Sequence, residues 1–197
     1  MDITNQEEQQ ITITLANGRQ VSIFAVCLGL NFKITPDSPL ASQFSAQFEA
    51  SYPFLVSPSE SSQSTGLTSG GGGTVPPPQM PMALTSDTGG KIYIVNNGNG
   101  VYYPTARISE TVTNPALKNY TTGKEIRFNI TLAAGEYIEI DFKRKTVTDQ
   151  TGANKYSIVS GDWWYLQPGT NEIRFLADTY NASAQATLRY RDSWLGI

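Results

Sequence analysis

The sequence predicts an all-β protein: a small amino-terminal β segment, a Gly/Ser/Pro linker and a carboxy-terminal antiparallel β-sandwich. Three observations predict it. First, apolar residues recur at every second position. They do so at Ile138, Ile140 and Phe142 around Glu139 and Asp141, at Ile173 and Phe175 around Arg174, and at Ala186, Leu188 and Tyr190 around Thr187 and Arg189. That is the period of a strand with one dry face. Second, turn signals punctuate the last third of the chain, at 151–154 (Thr-Gly-Ala-Asn) and 167–171 (Gln-Pro-Gly-Thr-Asn), where Pro presets one dihedral and Gly takes a conformation other residues avoid. Third, no amphipathic helical pattern of any length occurs.

The elements follow in order. Residues 1–57 open with an alternating strand at 11–15, a turn at Ala16-Asn17-Gly18-Arg19 and a second strand over 20–30. An Asn-Gly pair between two strand-prone runs is the strongest short hairpin signal. A further alternating run, with Phe44, Ala46 and Phe48 on one side, leads into Tyr52-Pro53-Phe54-Leu55. Residues 58–90 read as the linker, with four glycines at 70–73, three prolines at 76–78 and Asp87-Thr88-Gly89-Gly90 at its end. Such composition cannot bury enough apolar surface to offset its ordering entropy, which favours a flexible arm. The apolar residues of Met80-Pro81-Met82-Ala83-Leu84 leave open an ordered arm laid across a neighbouring subunit. Residues 91–197 form the sandwich. Its first hairpin is expected to pair 91–95 with 101–103 through Asn96-Asn97-Gly98-Asn99-Gly100, followed by strands over 105–112, 126–132 and 136–142.

Composition narrows the function. Only 16% of residues are charged and the formal net charge is -3. The sole basic run, Lys143-Arg144-Lys145, reads as a solvated strand end, with its residues alternating between two faces. Without clustered cations there is no groove for nucleic acid. There is no histidine and one cysteine, Cys27, so the usual zinc sets, His-based nucleophile triads and internal disulfides are not available, and no metal or cofactor is expected. Cys27 lies in an apolar run and reads as a small buried hydrophobe. The polar, acidic start of the chain lacks the pattern of a signal peptide, and no apolar run approaches the length of a spanning helix. Folding in the cytosol without membrane insertion is the expectation.

Three constellations invite chemical readings. Asp87-Thr88-Gly89 is the tripeptide of aspartic proteases, but those need two carboxylates sharing a proton in an apolar setting. Here the tripeptide ends a linker, and the second partial match, Asp149-Gln150-Thr151-Gly152, carries an inserted residue. Glu139 and Asp141 point to the same side of one strand, at a distance a glycosidase pair could use. Alternating acids are also what any wet sheet face produces, and Lys143 is a natural neutralising neighbour, so no catalysis is expected. Trp163, Trp164, Tyr165 and Trp194 are the candidate interface or glycan-contact residues. Adjacent tryptophans on a strand face opposite sides, so at most one of Trp163 and Trp164 enters the core while the other is exposed or covered by another chain.

The order of these carboxy-terminal segments resembles one family. A strand ending in an acidic-aromatic pair, a basic-rich stretch, Trp163-Trp164-Tyr165-Leu166, the run from Leu166 to Phe175 and the terminal Leu188-Arg189-Tyr190-Arg191 are together similar to the carboxy-terminal domain of siphophage distal tail, or minor tail, proteins. The resemblance runs from about Lys91 to the end. The run from Phe44 into Tyr52-Pro53-Phe54 resembles the closing strand of that family's amino-terminal domain, although residues 1–57 are fewer than that domain usually has. The resemblance implies a galectin-like sandwich and a non-enzymatic structural part of the tail tip or baseplate, located in the virion and assembled in the host cytoplasm. It also implies a homo-oligomer, most often a hexameric ring, that contacts tail tube and tail-tip hub proteins. The alternative is a carbohydrate-binding sandwich that recognises host surface glycans. The histidine and the Trp-Glu-Arg set of a galectin sugar site are both missing here.

Overall fold

The computed structural model describes residues 7–34, 42–67 and 90–196. In chain order its strands are β1 (Gln9–Thr14), β2 (Gln20–Ile34), β3 (Ser42–Glu49), β4 (Leu55–Val56), β5 (Ser61–Gly66), β6 (Lys91–Asn96), β7 (Thr105–Ser109), β8 (Val112–Thr113), β9 (Ala116–Asn119), β10 (Lys124–Phe128), β11 (Thr131–Leu132), β12 (Tyr137–Asp141), β13 (Thr146–Asp149), β14 (Val159–Gly161), β15 (Gly169–Leu176), β16 (Thr179–Tyr180), β17 (Gln185–Tyr190) and β18 (Ser193–Trp194). One 3-10 turn spans Tyr156–Ile158. The protein is all-β, as the alternation predicts. Its residues divide into two compact units, one of Met1–Ser59 with Ser193–Ile197 and one of Glu60–Asp192.

In the first unit β1, β2, β4 and β18 pair in that order, and β3 pairs with β2. The Asn-Gly turn forms as expected. Gly18 takes φ 80°, and Leu15 and Arg19 close the loop through an N–H to carbonyl bond of 2.8 Å. The long β2 outruns β1. Its far half pairs only with β3, in the register Leu30 to Ala46 and Asn31 to Ser45, with a bulge between Cys27 and Gly29.

The second unit is a sandwich of two five-stranded antiparallel sheets, one ordered β14-β10-β9-β15-β6 and the other β13-β12-β7-β17-β5, with a small β11-β8-β16 sheet beside them. Period-two alternation sends Ile126, Phe128, Ile173 and Phe175 inward from the first sheet and Ile108, Ile138, Ile140 and Leu188 from the second, into one continuous core. Trp164 is completely buried. Its ring lies 4.2 Å from that of Phe142, next to β12, while its Nε1–H donates to the Leu117 carbonyl of β9 at 3.2 Å. This one side chain therefore touches both sheets.

Four expectations need correction. Residues 61–66, read as linker, form β5 and pair along their whole length with β17. Ser-Ser-Gln-Ser-Thr-Gly has no apolar alternation, so its strand is set by backbone pairing and by a 2.8 Å contact between the Ser64 and Thr187 hydroxyls. Ser193 and Trp194, placed with the sandwich, pair with β4 in the amino-terminal unit. A two-residue strand is too short to carry a period. The 91–95/101–103 hairpin does not form: β6 pairs with β15, and Tyr102 bridges Leu166. The Asn96 side chain donates to the Gly100 carbonyl at 2.8 Å and accepts from Gly98 N–H at 3.1 Å, so its turn signal serves a crossing between sheets. Lys143-Arg144-Lys145 is the turn between β12 and β13, with Lys145 at φ 54°. Asp141 Oδ1 accepts from the N–H of Lys143 and of Arg144, both at 2.9 Å. The rest of the expected linker, 68–89, including Asp87-Thr88-Gly89 and Met80-Pro81-Met82-Ala83-Leu84, lies outside the described residues.

Two glycines, Gly90 and Gly161, are demanded by geometry. Gly161 sits at φ +92°, and a Cβ there would stand 2.3 Å from the Glu125 carbonyl oxygen of the adjacent β10. Gly161→Ala is expected to destabilise the sandwich by about 1–3 kcal/mol, from left-handed strain plus displacement of the β10–β14 pairing. Urea unfolding checks this, and a loss below about 0.5 kcal/mol, the range of a neutral surface change, would show that the strand edge gives way freely.

Candidate functional site

The aromatic set singled out in the sequence does not converge. Trp164 has no exposed surface, so it cannot be a contact residue. Strand alternation does not apply to the pair, because residues 162–165 are not strand, and Trp163, expected to be exposed or covered by another chain, lies half-buried at the core margin. Its ring meets Phe142 edge-on at 5.7 Å and stacks on Tyr156 at 6.4 Å. Tyr165 is half-buried against Tyr103, 5.7 Å between centroids. Trp194 belongs to the other unit, where the Arg19 guanidinium covers its ring at 3.9 Å.

Three surfaces replace that set. The first is one face of the β1-β2-β3 sheet. Strand parity and register put Ile13, Val21, Ala25, Cys27, Phe48, Ala46, Leu30 and Phe44 on the same side. The opposite side of the β2–β3 extension carries Asn31, Ser45, Gln47 and Glu49. Cover fails along the apolar side. Val21 and Ala25 are each 2% exposed, whereas Leu30, Phe48 and Phe44 are 37%, 43% and 73% exposed. Cys27, expected to be buried, is half-exposed on this face. The second surface is the outer face of the β6-β15-β9 strands, where Tyr93, Glu172 and Tyr120 lie in one row. Arg174 stacks on Tyr120 at 4.3 Å and donates to Glu172 at 2.9 Å.

The third is a groove of about 320 Å3 over β7, β12, β13 and β17. Glu139 and Asp141 both line it, as their shared strand face requires. Glu139 is clamped by Arg107, whose Nε and Nη2 reach Oε1 at 3.1 and 2.5 Å. Arg107 itself lies on the Tyr137 ring at 4.2 Å. Each partner of the pair is more than a third exposed, so it contributes no more than about 1 kcal/mol. Arg107 thus neutralises Glu139. Sequence inspection misses Arg107 because the two residues face each other only through the β7–β12 register. Among the described residues no group of three or more His, Cys, Asp or Glu side chains could hold a metal ion.

The partial protease match at Asp149 is a turn. Its Oδ1 accepts from the Thr151 hydroxyl at 2.6 Å and from the N–H of Thr151 and Ala153 at 2.9 and 3.1 Å. These bonds, the Thr151 hydroxyl foremost, draw its pKa down from 3.8 to about 2. A carboxylate with a depressed folded pKa adds stability above its ordinary value, lost as pH falls through about 2. Thr151→Ala is expected to move the Asp149 midpoint back toward 3.8. Carbon-detected NMR titration of the carboxyl reads this directly, and an unmoved midpoint would refute the assignment.

The described residues thus present an all-β sandwich with broad, partly apolar sheet faces. The chain belongs to the siphovirus-type tail component family: residues 97–194 match that family's C-terminal domain. Among solved structures it is similar to the Dit protein of phage SPP1, with 12% sequence identity and a TM-score of 0.59. The match covers 94% of this chain and 65% of that one. At that identity the likeness is one of fold, and its coverage takes in the amino-terminal unit as well as the sandwich. The SPP1 protein is described as a paradigm of the hub adsorption apparatus in phages infecting Gram-positive hosts. No curated protein matches the sequence. The protein is a phage tail component, carried in the virion. Among its described residues no helix is long and apolar enough to cross a membrane.

Proposed function

We propose that this protein is a ring-forming structural subunit of the tail tip, a homo-oligomer that joins the tail tube to tail-tip hub proteins and supports host attachment. The family resemblance suggests six copies in that ring. The observation that carries the reading is the apolar face of the β1-β2-β3 sheet, which passes from full burial at Val21 and Ala25 to 73% exposure at Phe44. Exposed aromatic side chains on the open end of an otherwise amphipathic hairpin mark a contact surface, and closed rotational symmetry is the common outcome for identical subunits. The face that carries Tyr93 and Tyr120, with Arg174 stacked on Tyr120, has the residue types of protein-contact hot spots and suits a second, heterologous contact. The reading assigns no reaction to the chain. Light scattering on the purified protein, with rotational averaging of the tail end, tests it: a ring is expected, and a strict monomer with no ring density would refute it.

A further inference from the structure

We propose that the groove over β7, β12, β13 and β17 binds a neutral, hydroxyl-rich ligand, that is, a glycan. This inference stands apart from the assembly reading and uses other residues. Register aligns Arg189, Thr105, Asp141 and Thr146 in one row across four strands, with Thr187, Arg107, Glu139 and Thr148 in the next. Neighbouring strands are about 4.8 Å apart, so hydrogen-bonding groups recur across the groove at that interval.

Many of these groups are unspent among the described residues. The guanidinium groups of Arg144 and Arg189 pair with none of the described residues, and neither do the hydroxyls of Thr105 and Thr148. Toward the described residues, Glu139 and Asp141 each use one carboxylate oxygen, in the Arg107 clamp and the turn cap. The groove therefore presents charged donors beside charged acceptors. Its two unpaired cations stand among two carboxylates.

That mixture selects the chemistry. A sulfate could accept from the guanidinium groups, but it has no hydrogen to donate to the two carboxylates beside them, which repel it. A protein partner would need an aromatic or aliphatic anchor to fill a pocket, and the apolar side chains under the groove, Ala106 and Ile140, turn into the core at 4% and 1% exposure. A hydroxyl both donates and accepts, so vicinal hydroxyls of a saccharide satisfy guanidinium and carboxylate together.

The test uses the full chain labelled with nitrogen-15 and titrated with neutral hexose and N-acetylhexosamine oligosaccharides, with inorganic sulfate as the anion arm. Saturable shifts at Thr105, Asp141, Thr148 and Arg189 are expected with at least one oligosaccharide. Arg189→Ala should weaken them about tenfold, the loss of one charged hydrogen bond. Arg189 supports no other described group, so the unliganded spectrum should otherwise hold. Thr148→Val is a second variant expected to weaken binding while leaving the strand intact. Three outcomes would overturn the proposal: no saturable shift with any oligosaccharide, shifts centred on Tyr93 and Tyr120 instead, or sulfate binding as strongly as the sugars.

Discussion

Trp164→Ala is expected to cost the sandwich about 3–5 kcal/mol, the range for removing a fully buried large aromatic. The indole is completely buried, so its loss leaves a cavity in the core. Loss of its Nε1–H also leaves the Leu117 carbonyl without that donor, which adds to the cavity term. For a unit of this size the change corresponds to a fall in Tm on the order of 10–20 °C. Trp163→Ala, by contrast, removes a half-buried ring that meets Phe142 and Tyr156 at the core margin. It should cost about 1–2 kcal/mol, in the ordinary range for point changes. Scanning calorimetry of both variants decides the matter. Equal losses would mean that Trp164 is not the plug joining the two sheets, and that the division between the neighbouring tryptophans has been misread.

The contrast between these neighbours also shows what sequence reasoning reaches. Alternation along Ile138, Ile140 and Phe142 identifies β12 because one face of that strand is dry, and the same holds for Ile173 with Phe175 and for Leu188 with Tyr190. Where both faces are wet the signal vanishes. β5 is six residues of Ser, Gln, Thr and Gly with no apolar alternation, yet it completes a five-stranded sheet. Asn96-Asn97-Gly98 looks like a hairpin because local turn chemistry is the same whether the chain returns beside itself or crosses to another layer. The groove was half legible. Glu139 and Asp141 stand out on one strand, whereas Arg107 and Arg189 come from other strands, and only pairing register brings them opposite. Exposure was not legible at all for Phe44 and Phe48. Their alternation says that one face is apolar and is silent on whether anything within the chain covers it.

That uncovered face yields the second large effect. Phe44→Asp and Phe48→Asp are each expected to abolish assembly while leaving the subunit folded. Phe44 is 73% exposed and Phe48 43% exposed in the single chain, so neither substitution opens a core cavity, and a carboxylate on an exposed strand is well solvated. In a ring the same side chains would be desolvated. An aromatic hot spot replaced by a charge costs about 2–4 kcal/mol per contact, or roughly 30-fold to 1000-fold in the association constant. Each subunit of a closed ring shares two contacts, so the loss recurs around the whole assembly. Glu49→Lys on the opposite, polar side of the hairpin serves as the control and should assemble normally. Sedimentation velocity at matched concentrations separates the outcomes: monomers for both aspartate variants, with unchanged circular dichroism and Tm, and rings for the control. Rings formed as readily by Phe44→Asp as by the parent protein would place the subunit contact elsewhere. Aspartate variants that unfold outright would show instead that this face is sealed within the chain itself.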